Sequence, residues 1–373
     1  MKCYCQLGDL KNAIIAVSKA LPAKAQVPIL SGIYIATEHN SIEVQATDFS
    51  LGIIATIPAD TKMDGSTVLP GKDIIDIINS LKNPIICISD EDDRRVAVIN
   101  SGEEDFSITT MNPDEFPKVS TQQEVNQSFT IKNKVLKKLI QRSTFACTGI
   151  NDSRPIFKGC ALTVKDSVLT LVATNTHRLA VVKTELEDIV PNEINCVVPA
   201  KTLNDLIGMI DYVGEKGSVK IDISENQIAF TIDNFFVSCR LIDGTFPSYD
   251  KVIPATTEIS SVVDIREFRD KINHAALISR FSEYHTVRFI CNESGIDISA
   301  ESYDRGKYST HIDARREGSK IDISFNIDYF QDFLKIFPDG ELRISMNEPL
   351  SPATFSFDEE ENFIYIITPL RTQ

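Results

Sequence analysis

Residues 171–180 read Leu-Val-Ala-Thr-Asn-Thr-His-Arg-Leu-Ala, and the Ala173-Thr174-Asn175 within them repeats Ala46-Thr47-Asp48 at a distance of 127 residues. A further step of 127 reaches Ala300-Glu301-Ser302, preceded by Ile-Asp-Ile-Ser where the earlier copies have Ile-Glu-Val-Gln and Leu-Thr-Leu-Val. Other landmarks keep the same order. Pro28-Ile29 with Gly32 returns as Pro155-Ile156 with Gly159, and Phe116-Pro117 as Phe246-Pro247. Val68-Leu69-Pro70-Gly71-Lys72 returns as Val197-Val198-Pro199-Ala200-Lys201, with Ile323-Ser324-Phe325-Asn326 as its third copy. One such match means little. Several in one order at nearly one spacing mark a threefold internal repeat. The expected domains are 1–120, 127–250 and 251–373, with boundaries where apolar periodicity lapses.

Each repeat predicts a short strand and then an amphipathic helix, at Gly8–Leu21, Lys132–Ala146 and Arg266–Ser279. In the first, Leu10, Ala13, Ile14, Val17 and Leu21 recur at steps of three and four and make one apolar stripe. Alternating segments such as Ser41-Ile42-Glu43-Val44-Gln45-Ala46 predict strands. A second helix follows in each repeat, at Lys72–Leu81, Lys201–Ile210 and Ile327–Phe337. Two helices against antiparallel sheets, three times over, is an α+β architecture.

The chain has 373 residues, 42% of them apolar and 24% charged, which excludes wholesale disorder. Its net charge of −15 argues against a protein that wraps nucleic acid with its whole surface. Eight cysteines without a CxxC pair, most of them in apolar runs, read as buried free thiols of a cytoplasmic protein. No apolar run suits a signal peptide or a membrane span.

The first helices depart from this acidic balance. Segments 8–24, 132–146 and 264–280 carry +2, +5 and +1. Their total of +8 leaves −23 for the remainder. With these helices turned inward about an axis, the protein would have a positive lumen and a negative exterior.

The stretch 171–180, Phe157-Lys158-Gly159, Leu241-Ile-Asp-Gly-Thr-Phe-Pro-Ser-Tyr249 and Ile366-Ile-Thr-Pro-Leu-Arg371 together resemble the bacterial DNA sliding clamp family, the beta subunit of DNA polymerase III holoenzyme. The resemblance spans the whole chain. It implies three domains of the DNA-clamp fold, with helices lining the inside, antiparallel sheets outside, and a homodimer closed head to tail into a ring. Twelve helices of about 10 Å diameter would make a circle about 38 Å across their axes, leaving a hole of about 28 Å for a duplex. The implied function is a processivity factor that encircles double-stranded DNA without reading its sequence. It would tether the replicative DNA polymerase alpha subunit, the clamp loader and other proteins bearing a clamp-binding motif. No cofactor, metal or membrane enters this reading.

The resemblance implies DNA contacts at Lys24, Lys72, Asn151 and Lys201. It also implies a peptide pocket that begins with Phe157, Thr174, Thr176, His177, Arg178 and Leu179. Pro247, Val252, Ile366, Thr368, Pro369, Leu370 and Arg371 complete it. Only this repeat has the His-Arg pair: the other copies have Ser50-Leu51 and Asp304-Arg305, which suggests function grafted on scaffold. The expected ligand is a short segment with a Gln and several bulky apolar residues. Thr176 stands where the family usually has Gly, and Thr368 where it has a large apolar residue. Ring closure would use Phe106 and Ile108, on one side of a strand, against Leu277 and Ile278 at the end of a helix.

An enzyme would need a catalytic set. Position 175 is Asn and 176 is Thr, so no carboxylate neighbours His177 in sequence, and GxxxxGK[ST] and HExxH are absent. A three-domain carbohydrate- or protein-binding scaffold would call for an aromatic-rich face. Aromatics are only 8% of the chain and mostly at core spacing.

Overall fold

The computed structural model describes residues 1–91, 95–122, 124–149 and 152–371. Two α-helices fall in each repeat: α1 (Leu7–Val17) and α2 (Gly71–Ser80), α3 (Asn133–Ser143) and α4 (Ala200–Val213), α5 (Ile265–Ser279) and α6 (Asp328–Leu334). The apolar stripe of α1 is buried at Leu10, Ala13, Ile14 and Val17. Helix α5 starts where the Asp264 carboxylate accepts hydrogen bonds from the backbone N–H groups of Arg266 and Glu267, at 2.9 and 3.1 Å. That cap satisfies two donors that a helix start leaves unpaired. Among the described residues, no helix is long and apolar enough to cross a membrane.

The chain packs as two compact units, Met1–Lys137 with Leu186–Asn192 and Lys201–Leu241, and Lys138–Glu185 with Glu193–Ala200 and Ile242–Gln373. The central repeat therefore supplies strands to both. In the first unit, strand Phe235–Arg240 of the second repeat pairs antiparallel with Leu51–Pro58 of the first, which makes one eight-stranded sheet. In the second unit, Phe363–Ile367 of the third repeat pairs with Arg178–Glu185 of the second inside a nine-stranded sheet. A five-stranded sheet ends at Glu104–Thr109 and a four-stranded sheet ends at Gly306–Asp313.

The basic helix of the second repeat is largely neutralised within the chain. Lys137 Nζ lies 2.6 Å from Asp211 Oδ1 and 3.2 Å from Glu215 Oε1. Lys132 pairs with Glu187, and both Lys138 and Arg142 pair with Glu360. In the third repeat Arg269 donates to the carbonyls of Leu334, the last residue of α6, and of Phe337 beyond it. The count of charges along the second repeat's helix thus overstates its free positive charge, because the neutralising acids lie far away in sequence.

Glu360 holds two cations of α3 on the turn before strand Phe363–Ile367. The Arg142 guanidinium, and then Lys138, hold its carboxyl down at about 2 against a partial burial that pushes the other way. A depressed carboxyl stabilises the fold above its unfolded pKa and loses that contribution as pH falls through the folded one. Glu360→Gln should cost about 1.5–3 kcal/mol near neutral pH. In denaturant titrations the deficit should stay full above the ordinary carboxylate range and shrink as pH approaches about 2. A pH-independent deficit would show that the ion pairs contribute nothing.

Candidate peptide-docking site

Thr174, Asn175 and Thr176 build a turn out of side chains. Asn175 Oδ1 accepts from the backbone N–H groups of His177 and Arg178, both at 2.9 Å. Thr174 Oγ1 donates to Arg178 O at 2.6 Å and accepts from Thr176 N at 3.1 Å. Asx and Thr side chains offer the backbone these local partners. The same turn recurs at Asp48, whose Oδ1 accepts from Ser50 N and Leu51 N, with Thr47 Oγ1 donating to Leu51 O. The Ala-Thr-Asx repeat in the sequence is this turn. It forces the following residue into the left-handed region, φ +70° at Phe49 and +79° at Thr176.

Arg178 and Leu179 emerge from the turn on the strand that meets Phe363–Ile367, opposite Ile367 and Ile366. Leu179 and Ile366 are buried with Ala161, Val172 and Val181, and Phe246, Tyr249 and Ile253 pack on them. The Arg178 guanidinium is also buried. Its Nη1 lies 2.7 Å from Asp332 Oδ2 on α6, and its plane lies 4.9 Å from the Tyr329 ring centre. His177 is exposed, and its carbonyl accepts from Thr368 N at 2.9 Å and Thr368 Oγ1 at 2.6 Å.

Over this floor opens a cavity of about 600 Å³. Phe157, Thr174, Thr176, His177, Arg178, Leu179, Pro247, Val252, Ile366 and Thr368 line it, so ten expected positions converge. Pro369, Leu370 and Arg371 are not in its wall: the Leu370 N–H donates to Ser324 O at 2.7 Å, and its side chain lines a separate hollow. The expected polarising effect of Thr368 is also reduced, since its hydroxyl is spent on the His177 carbonyl. Sequence reasoning missed Ser248, Tyr249, Lys251 and Pro254, although Tyr249 closes a stretch already singled out. It also missed Asn347, Ser351 and Pro352, whose only signal was a Pro-rich turn.

Of the expected DNA contacts, Lys24 is exposed in the loop after α1, and Lys72 is exposed at the second residue of α2. Lys201 holds the matching place on α4, where its Nζ donates to Lys19 O at 2.8 Å and pairs with Asp205 at 2.9 Å. Asn151 lies outside the described residues. Phe106 and Ile108 share the inward face of the edge strand Glu104–Thr109, half-buried and buried respectively. Leu277 is exposed and Ile278 half-buried near the end of α5.

Three family models cover nearly the entire chain: DNA polymerase III beta subunit N-terminal domain at 1–120, central domain at 130–248 and C-terminal domain at 250–371. The beta sliding clamp of Bacillus subtilis is 29% identical over the full length of both chains. That of Staphylococcus aureus is 28% identical over 95% of each. The crystal structure of the DNA polymerase sliding clamp from Bacillus subtilis superposes over all of both chains with a TM-score of 0.92 at 28% identity. That of the DNA polymerase III beta subunit from Thermotoga maritima also gives 0.92, at 26%. The chain belongs to the DNA polymerase III beta-subunit family and has its three-domain clamp fold. Its function is that of a sliding clamp, a processivity factor rather than a catalyst.

A β-branched residue at φ +79° is strained, and glycine is not. Thr176→Gly removes strain of about 1–3 kcal/mol against an entropic loss of about 0.5–1 kcal/mol. The variant should unfold at a higher denaturant midpoint, and Thr176→Val at a lower one. A midpoint for Thr176→Gly at or below the parent value would show the turn to be relaxed.

Proposed function

We propose that two copies of this chain close head to tail into a ring around duplex DNA, and that the cavity beside His177 docks the proteins the ring carries. The division into domains 1–120, 127–250 and 251–373 belongs to the same reading. The observation that carries the docking role is the open cavity itself. It has an apolar floor at Leu179 and Ile366, an exposed His177 at its rim, and a turn that only this repeat extends with His-Arg. Such a wall suits a short segment with bulky apolar residues and one amide side chain. The replicative polymerase alpha subunit, the clamp loader and other proteins with a clamp-binding motif are the expected bearers. The apolar contact that closes the ring joins Phe106 and Ile108 to Leu277 and Ile278 of the neighbouring copy.

Enclosure makes tight phosphate binding unnecessary. Lys24 and Lys72 support the DNA-facing role, since neither forms an ion pair among the described residues. Asn151 is carried by the resemblance alone. Lys201 would have to exchange its bonds to Lys19 and Asp205 for a phosphate. All eight cysteines are free, which supports a reducing compartment and hence the cytoplasm.

Enclosure is tested by topology. The protein loaded on a nicked circular duplex should remain bound through gel filtration and run off when the circle is cut once. Equal retention on both forms would exclude a ring. Docking is tested at Val252, which is exposed and lines the cavity. Val252→Asp should weaken binding of a Gln-bearing apolar peptide at least tenfold by calorimetry, by placing a carboxylate against its apolar side chains. Unchanged affinity would move the docking site elsewhere.

A further inference from the structure

In each repeat one connection leads from the first helix to a strand, and those strands start at Gly32, Gly159 and Thr286, spaced by 127 residues. In the first two repeats the connection carries Lys24 and Asn151, two of the DNA contacts proposed above. In the third it is the short stretch 280–285 after α5, to which that proposal gives no role. Arg280, Phe281 and Tyr284 are exposed on it, and Tyr303 and Arg305 are exposed in the hairpin turn between strands Gly295–Ser302 and Gly306–Asp313. The Arg280 guanidinium lies 4.9 Å from the centre of the Phe281 ring, and that of Arg305 lies 4.6 Å from it.

The backbone beneath these side chains is braced. Ser302 Oγ donates to Phe281 O at 3.1 Å and so ties the hairpin turn to the connection. Ser282 Oγ donates to Ser279 O at 2.7 Å and accepts from Thr286 N at 3.0 Å. His285 Nδ1 lies 2.7 Å from Asp328 Oδ2 on α6. Tyr284 and His285 take left-handed backbone, φ +60° and +48°, which costs energy at residues other than glycine. Groups held out on a loop fixed this way lose little further freedom when they bind.

Two cations on one ring repel each other, and among the described residues neither Arg280 nor Arg305 makes an ion pair. The second repeat sets the contrast in its own connection. There Arg154 lies 4.8 Å over Phe157, and Asp152 neutralises it at 3.0 Å. In the third repeat the acids nearby are engaged elsewhere or unpaired: Glu283 bonds the Tyr284 hydroxyl and raises its pKa, Glu301 stands opposite Lys307, and Asp304 makes no ion pair with Arg305. In a chain of net charge −15, a pair of arginines without a carboxylate is a place for an anion from outside. We infer that Arg280, Arg305 and Tyr303 form a binding site for single-stranded DNA, with the guanidiniums on its phosphates and the tyrosine ring against a base. An exposed ring stacks on unpaired bases of any sequence, whereas the bases of a duplex are already stacked on one another. This deepens the DNA-facing role proposed above and rests on it.

The test uses a fluorescent oligo(dT) strand, read by anisotropy over a series of salt concentrations, beside a blunt duplex of the same length. Arg280→Ala with Arg305→Ala should weaken oligo(dT) binding about tenfold and flatten the slope of log affinity against log salt by about 1.4, the share of two single-strand phosphates. Tyr303→Ala should weaken it about fivefold with the slope unchanged, and Tyr303→Phe should bind as the parent does. An oligonucleotide carrying 5-bromouracil, irradiated on the protein, should crosslink to the peptide that holds Tyr303. Unchanged affinity in the arginine pair, a Tyr303→Ala loss that is equal on duplex and single strand, or crosslinks confined to other peptides overturns the site. So does a loss that merely follows dissociation of the dimer in sedimentation, which would assign these side chains to the contact between copies. Retention on a nicked circle with no effect of any variant overturns the site and keeps the ring. A parent that runs off the circle yet binds oligo(dT) through Arg280 and Arg305 overturns the ring and keeps the site.

Discussion

The antiparallel addition of one repeat's last strand to a strand of the preceding repeat is the constraint that organises this molecule. It occurs at Phe235–Arg240 on Leu51–Pro58 and at Phe363–Ile367 on Arg178–Glu185, with equivalent residues opposed each time. A sheet that grows this way always exposes an edge, and an exposed edge is a template for another strand. Three repeats in one chain make two such junctions and leave two half-junctions, at the edge strands Glu104–Thr109 and Gly306–Asp313. In the ring proposed above, a second copy supplies the partner for each.

The docking cavity is a by-product of that same addition. Arg178 and Leu179 are fixed opposite Ile367 and Ile366 by the strand register, while the Asx turn just before them leaves Thr176 and His177 exposed above. The first repeat builds the same turn and presents Phe49 and Ser50 from it. One backbone device therefore yields different surfaces according to the two residues at its tip. The scaffold is set by Thr and Asx side chains that bond the backbone, and the surface by the side chains of the tip residues, whose backbone N–H groups those bonds hold. Thr176 carries the cost of this arrangement in its left-handed backbone.

Much of this was legible in the residues. The six helices lie where apolar periodicity places them, and the Ala-Thr-Asx landmarks mark a turn whose hydrogen bonds demand those residue types. Ten of the thirteen pocket positions converge, because the strands that carry them are fixed by pairing. The misses share a cause. Ser248, Lys251, Pro254, Asn347, Ser351 and Pro352 sit in loops with no periodicity, brought to the cavity only by tertiary packing. Leu370 lies beyond the paired part of its strand and follows a different partner, Ser324. The charge on α3 was misjudged for the same reason. Its neutralising acids, Asp211, Glu215 and Glu360, are more than seventy residues away along the chain.

That neutralisation bears on how a clamp can hold DNA without gripping it. Each phosphate that a protein neutralises releases counterions and steepens the dependence of binding on salt. A helix with five free cations facing a duplex would bind it tightly and resist movement along it. In α3 and its flank, Lys132, Lys137, Lys138 and Arg142 already have carboxylate partners, and among the described residues only Lys134 of the five makes no ion pair. A cation shared with a carboxylate still repels other cations and attracts phosphate weakly, but it gains little by exchanging one anion for another. The acidic balance of the chain and the role of a clamp on an acidic polymer are therefore compatible, because most cations of α3 and its flank already have carboxylate partners.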